Sequence, residues 1–364
     1  MKLNRNLTSN ITKAKELKPF IFLTAAQEAE MEKILEQFPM AIPRYYFSLI
    51  NWDNPQDPIR RMCIPSTEEN DMTGTFDTSG EADNTTLPGL QHKYRETALI
   101  LSTHRCAMYC RHCFRKRMVG ITEDETVGNL VNMVEYIRAH PEINNVLISG
   151  GDAFLNSNQV IEQYLNLLSD IKHLDLIRFG TRTPVVLPAR IYDDLQLLES
   201  LKTHNRKKQI YVVTQFNHPN ELTPEARKAV DALLNCGVIV KNQTVLLKGV
   251  NDNADTLAAL LQRLTHIGVI PYYIFQCRPV SGVGSHFQVP LAEGCRIVAA
   301  AKEQQNGQGK CIRFVMSHIT GKIEIFGENT DGEMIFRYHQ AKYERDKGRI
   351  FSQTLADGQT WLTF

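Results

Sequence analysis

The stretch from Leu99 to Arg117, LILSTHRCAMYCRHCFRKR, constrains this chain more than any other. Cys106, Cys110 and Cys113 are spaced Cys-x3-Cys-x2-Cys directly after a short apolar run that reads as a strand, and Arg115, Lys116 and Arg117 follow. Three thiolates can hold three irons of a [4Fe–4S] cluster, because each iron in such clusters normally takes one cysteine. The fourth iron then stays open to bind a small molecule and pass it an electron. Zinc would want a fourth ligand, with His104 or His112 nearest, but structural zinc ligands usually come as two spaced pairs and no second pair follows.

Bulk properties narrow the setting. A chain of 364 residues has room for one large domain and a smaller one, and 43% hydrophobic with 22% charged residues is ordinary globular composition. A net charge of +1 gives no reason to expect a nucleic-acid partner. The first twenty residues lack the apolar core of a secretory signal, and no run is long enough to span a bilayer. Of eight cysteines, five (Cys63, Cys236, Cys277, Cys295 and Cys311) are scattered singly, which is no disulfide framework. The expectation is a soluble, cytoplasmic protein with neither nucleic-acid nor membrane partners.

Three regions are expected. Residues 1–90 read as a helical and loop extension: Met31, Ile34, Leu35 and Phe38 recur at helical spacing within 25–40, prolines interrupt 43–65, and the polar run 66–86 reads as an exposed loop. Residues 91–305 alternate strand and helix, with strands expected at 98–103, 144–150, 176–182, 209–216, 238–247 and 270–277 and helices over 125–140, 158–173, 189–204, 223–237 and 254–268. Residues 306–364 read as a C-terminal β segment. Six alternating units demand a parallel sheet with right-handed crossovers. They fall short of a closed eight-stranded barrel, so the expected fold is α/β, a partial (β/α)6 barrel, with an open doubly wound sheet as the alternative. Both place function at the C-terminal strand ends, and those ends carry the cysteine loop, SGGDAF (149–154), TRTPVVLP (181–188), QFNHPNE (215–221), KGVND (248–252) and QCRPVSGVGSHF (276–287). Singly, each has a plainer reading: Gly150 and Gly151 as a tight turn, Asp152 as a helix cap, Gln243 as a partner of backbone.

Six motifs, CAMYCRHCFRKR, ISGGDAF, GTRTPVVLPAR, QFNHPNELT, KNQTVLLKGVND and YYIFQCRPV, occur in this order and spacing. Together they resemble the lysine 2,3-aminomutase family, radical S-adenosylmethionine (SAM) enzymes that also use pyridoxal 5'-phosphate (PLP); the likeness covers residues 87–325. The resemblance implies that Cys106, Cys110 and Cys113 ligate a [4Fe–4S] cluster, that His112 lies on the cofactor side, and that the turn Ser149, Gly150, Gly151 and Asp152 meets the methionine end of SAM. Arg115 would pair with the substrate α-carboxylate, as a planar guanidinium suits a carboxylate. Gln243, Lys93 and Tyr94 would contact SAM or PLP, and Lys322 would be the lysine that carries PLP. The implied activity is that of an isomerase, moving the α-amino group of an amino acid to its β-carbon, fed by an electron donor such as flavodoxin or ferredoxin, in a homo-oligomer.

Substrate choice turns on two positions. Lysine-acting members resemble one another in holding the distant ammonium with two aspartates; here Arg278 and Ser317 stand at those places. Like-charge repulsion beside Arg278, on the order of several kcal/mol at an intermediate dielectric, disfavours lysine and favours glutamate. The alternatives are a neutral substrate with Arg278 paired to a neighbouring acid, lysine itself, or a lysine of a partner protein. The last forty residues alternate as short strands and contain no cysteine cluster, so no zinc site is expected there.

Overall fold

The structure, a computed structural model, describes residues 9–120 and 129–363; the opening of the N-terminal stretch and residues 125–128 of the helix expected over 125–140 lie outside them. Twelve strands form one sheet whose spatial order follows the sequence: β1 (Thr85–Leu87), β2 (Leu90–Tyr94), β3 (Thr97–Thr103), β4 (Asn145–Gly150), β5 (Leu176–Gly180), β6 (Gln209–Thr214), β7 (Ile239–Leu246), β8 (Ile270–Gln276), β9 (Arg313–His318), β10 (Gly321–Glu328), β11 (Met334–Ala341) and β12 (Ile350–Gln353). From β3 to β9 each neighbouring pair is parallel, while β1–β2–β3 and β9–β10–β11–β12 are antiparallel.

Strand order without a reversal rules out the doubly wound alternative, which needs a switch point where the order turns back. Right-handed crossovers that all advance in one direction put their helices on one face of the sheet. The other face curls around a cavity. Period-two alternation follows: Val146, Ile148, Ile177 and Phe179 are buried against the helices, whereas Leu147, Ser149, Arg178 and Gly180 line the cavity. Among the described residues no closed barrel forms, as β1 and β12 end the sheet.

The six expected strands are present, and a seventh parallel strand, β9, joins them. The sheet therefore does not stop at residue 305: β8 pairs in parallel with β9, and a helix at Leu291–Glu303 makes the crossover. Helices begin where small polar residues can accept the first free N–H groups: Ser157 from Val160, Thr223 from Ala226 with Pro224 in the first turn, Asn253 from Thr256. The helix expected over 189–204 is two pieces, Ala189–Tyr192 and Leu195–Asn205, because the Asp194 side chain caps the second by accepting from Leu197 N–H. The helix Ala25–Gln37 forms as expected, with Ile34 and then Phe38 buried.

Candidate active site

The cavity encloses about 370 Å³ and reaches from the cysteine loop above β3 to Arg178 and Tyr272 deeper in the sheet. All three cysteines line it. Cys110 Sγ accepts a 2.8 Å hydrogen bond from Arg182 Nη1, and the same guanidinium is held by Glu221 at 2.5 Å and Tyr46 at 3.3 Å. Burial pushes the Cys113 thiol up to about 11 and Cys106 well above its ordinary value, so thiolates there call for a compensating cation such as iron. Among the described residues no three His, Cys, Asp or Glu side chains could share a single metal ion; the corners of a four-iron cluster, one cysteine each, demand less proximity.

The run 66–86, expected as an exposed loop, keeps most of its residues exposed but turns Glu69 and Glu81 in against the cysteine loop, where they supply its counter-charges. Glu69, 1% exposed, pairs with Arg111 and with Lys116 at 2.5 Å, and Glu81, 4% exposed, pairs with Arg115 at 2.8 Å and Arg117 at 2.6 Å. Burial alone would raise the Glu81 carboxyl, but Arg115 and Arg117 outweigh it and hold it down to about 2. Four cations packed round three thiols need buried acids, and this run is where they come from. The signal was legible in principle: the loop carries Glu68, Glu69, Asp71, Asp77, Glu81 and Asp83.

The turn after β4 is built by close approach. Gly150 has φ +117, and a Cβ there would stand 2.3 Å from the Thr103 carbonyl oxygen, so only glycine lets the SGGD turn pass under the cysteine loop. Ser149, Gly150, Gly151 and Asp152 all line the cavity. The Asp152 carboxylate accepts from Phe154 N–H, Arg182 N–H and the Thr181 and Thr183 hydroxyls. It caps its own turn, as the plainer reading had it, and ties that turn to the loop after β5. His112 Nε2 accepts from the Gln215 and Asn217 amides at 3.1 and 3.2 Å, and burial drives its pKa well below the usual range. The ring is neutral with its proton on Nδ1, which has no protein partner among the described residues and so can serve a bound molecule.

The opposite wall is different. Lys322 Nζ donates to Gln340 Oε1 at 3.0 Å and sits 4.7 Å from the Tyr273 ring centroid and 5.9 Å from those of Tyr94 and Phe275. Burial, then Arg178, Arg278 and Lys93, bring it down to about 7. Lys93 Nζ donates to the carbonyls of Ser79 and His318 and is likewise lowered by burial to about 7. Arg278 donates to the Ser79 and Ser317 hydroxyls, the latter at 2.8 Å; no carboxylate among the described residues pairs with it. Gln243 faces the same space from β7. Six Lys or Arg side chains thus line the cavity against two carboxylates, Glu81 and Asp152.

Residues 100–261 match the Radical SAM superfamily. A protein of Aquifex aeolicus (strain VF5), provisionally named an L-lysine 2,3-aminomutase, is 45% identical over 326 residues, 89% of this chain and 87% of its own. This chain belongs to the lysine 2,3-aminomutase family. The family is an isomerase family within the radical SAM superfamily, which implies a [4Fe–4S] cluster and SAM. The L-lysine 2,3-aminomutase of Acetoanaerobium sticklandii is 38% identical over 302 residues, covering 82% of this chain and 72% of that protein. The glutamate 2,3-aminomutase of Clostridioides difficile (strain 630) is 36% identical over 303 residues, 83% and 70% respectively. Relatives of both names cover most of the chain, so the substrate has to be argued from the site.

Proposed function

We propose that the protein is a PLP-dependent 2,3-aminomutase of an acidic amino acid, with glutamate the leading candidate. One observation carries the choice of substrate: Arg278 is half-buried in the cavity wall with two neutral serine hydroxyls as partners, and no carboxylate among the described residues pairs with it. A lysine ammonium brought there would meet a like charge, while a side-chain carboxylate would supply the missing counter-ion. Arg115, whose Nε and Nη1 are held by Glu81 and the Gly150 carbonyl, takes the α-carboxylate in this reading.

PLP fits the residues present. Lys322 combines an aromatic surround with an amine near neutrality at physiological pH, which is what capture of an aldehyde requires, and Lys93 and Arg178 offer cations for a phosphate. Arg178 Nε is buried without a hydrogen-bond partner among the described residues, an atom waiting for an acceptor. When bound, SAM with the reduced cluster supplies a carbon-centred radical that removes hydrogen from the substrate, and PLP carries the migrating amino group. The chain's own part is to hold the substrate by both ends, to release the Lys322 Nζ proton readily, and to keep water out with Phe114, Tyr94 and Tyr273.

The test is anaerobic incubation of the reconstituted protein with SAM, PLP and dithionite against single free amino acids, with mass-spectrometric detection of β-amino isomers. Glutamate turning over while lysine does not is the expected result. Lysine turning over in preference would overturn the reading of Arg278.

A further inference from the structure

The two arginines assigned to the substrate's ends are tethered to one short piece of chain. Ser79 receives Arg278 Nη1 on its hydroxyl, and Glu81, two residues on, receives Arg115 Nε at 2.8 Å. The Ser79 carbonyl also accepts from Lys93 Nζ at 3.2 Å. Both guanidinium carbons lie against the Phe114 ring, at 4.6 Å for Arg115 and 4.2 Å for Arg278 from its centroid, so their separation cannot exceed the sum of those two distances. That is a span a short dicarboxylic acid can bridge.

The piece itself is braced. Asp77 accepts from the N–H groups of Glu81 and Ala82, and Asn84 Nδ2 donates to the carbonyls of Ser79 and Gly80. Gly80 has φ +64, and a Cβ there would come within 2.9 Å of Ile319 Cγ1, so the turn is seated against the connection between β9 and β10. Glu81 is committed to Arg115 and Arg117, and Arg278 has only serines; two guanidinium groups sharing one ring repel each other and keep their spacing only while the tethers hold.

We infer that Ser79 and Glu81 are positioning residues that set the distance between Arg115 and Arg278 and thereby select the chain length of the dicarboxylic amino acid. This rests on the acidic-substrate reading above. Neither residue touches the reacting atoms; each acts through an arginine.

The experiment compares aspartate, glutamate and 2-aminoadipate. Each is titrated calorimetrically into anaerobic holoenzyme without reductant, so that binding is read apart from turnover, and kcat and KM are then measured with reductant. For the wild type, glutamate should bind tightest. Glu81→Asp, which shortens the tether by one methylene, should change the ratio of KM between glutamate and the other two acids at least tenfold and leave kcat at saturation within threefold. Ser79→Ala should change that ratio by a few-fold. Glu81→Gln keeps the tether length and an acceptor for Nε, so it should raise KM for all three acids and preserve their order. Glu81→Asp and Ser79→Ala variants that bind and turn over glutamate with the wild-type ranking overturn the inference, as does a uniform loss of kcat for all three acids. A wild-type enzyme that turns over a different amino acid and none of these three overturns the acidic-substrate reading, and the inference with it.

Discussion

The cavity has two walls made from the same kinds of side chain and wired differently. Around the cysteine loop five cations meet buried carboxylates: Arg111 and Lys116 share Glu69, Arg115 and the half-buried Arg117 share Glu81, and Arg182 has Glu221. Across from it, Lys93, Lys322 and Arg278 have only carbonyls, an amide and hydroxyls. Ion pairs on the first wall cancel charge and fix geometry. The second wall leaves positive charge uncancelled, which costs folding free energy and is recovered when an anion binds.

The difference can be broken most severely at Lys322. Lys322→Ala should abolish the visible absorbance that the wild-type protein acquires with PLP, a complete loss seen by spectrophotometric titration; retention of that absorbance would remove Lys322 from its assigned role. Next in size is a contrast of sign in chemical denaturation of the cluster-free protein. Glu69→Ala strands Arg111 and Lys116 and should cost about 3–5 kcal/mol, whereas Arg278→Met deletes an uncancelled, half-buried charge and should leave stability unchanged or raise it. Equal losses would mean the two walls are not wired differently after all. In turnover the ranking reverses, with Arg278→Gln expected to lower kcat/KM for glutamate by about 10²–10³-fold.

A smaller effect is expected from pH. Lys322 is lowered to about 7 in the folded protein from an ordinary value of 10.5. The unfolded chain therefore binds the extra proton between those values, and the contribution of Lys322 makes stability rise with pH from about 7 to 10.5. PLP uptake at fixed concentration should likewise increase as pH rises through about 7, followed by absorbance; a profile that is flat from pH 6 to 8 would contradict a near-neutral amine. Smallest is Ser317→Ala, which removes one hydroxyl acceptor from Arg278 and should cost about 1 kcal/mol in glutamate binding.

How much of this was legible in the sequence depended on the range of the interaction. Strands β3 to β8 announced themselves because each is a short apolar run between amphipathic helices, and the cysteine triad because its ligands are local. The strand Arg313–His318 was missed as a sheet member since its partner β8 is joined to it by a helix that falls beyond the last unit counted. Glu69 and Glu81 were missed for a similar reason: a polar run rich in Gly, Thr and Asp has the composition of a surface loop, and only tertiary packing 34 to 47 residues away makes it a buried source of charge. Asp152 was ambiguous in sequence, and its four internal hydrogen bonds show why: capping and lining the cavity are done by the same residue.

The linear order of the sheet bears on how large molecules enter. Along β3 to β9 the wall is a ladder of backbone hydrogen bonds, so parting two strands would sacrifice several bonds together. Where the run before β1 meets the stretch after β8 and the end of β9, the contacts are scattered ones: Thr75 N–H to the Pro279 carbonyl, Gly282 N–H to the Asp71 carbonyl, Lys93 to the His318 carbonyl and Arg278 to the Ser79 hydroxyl. Those contacts form no continuous ladder, and they lie close to Lys322, whose strand partner Ser317 is the neighbour of His318 in the chain.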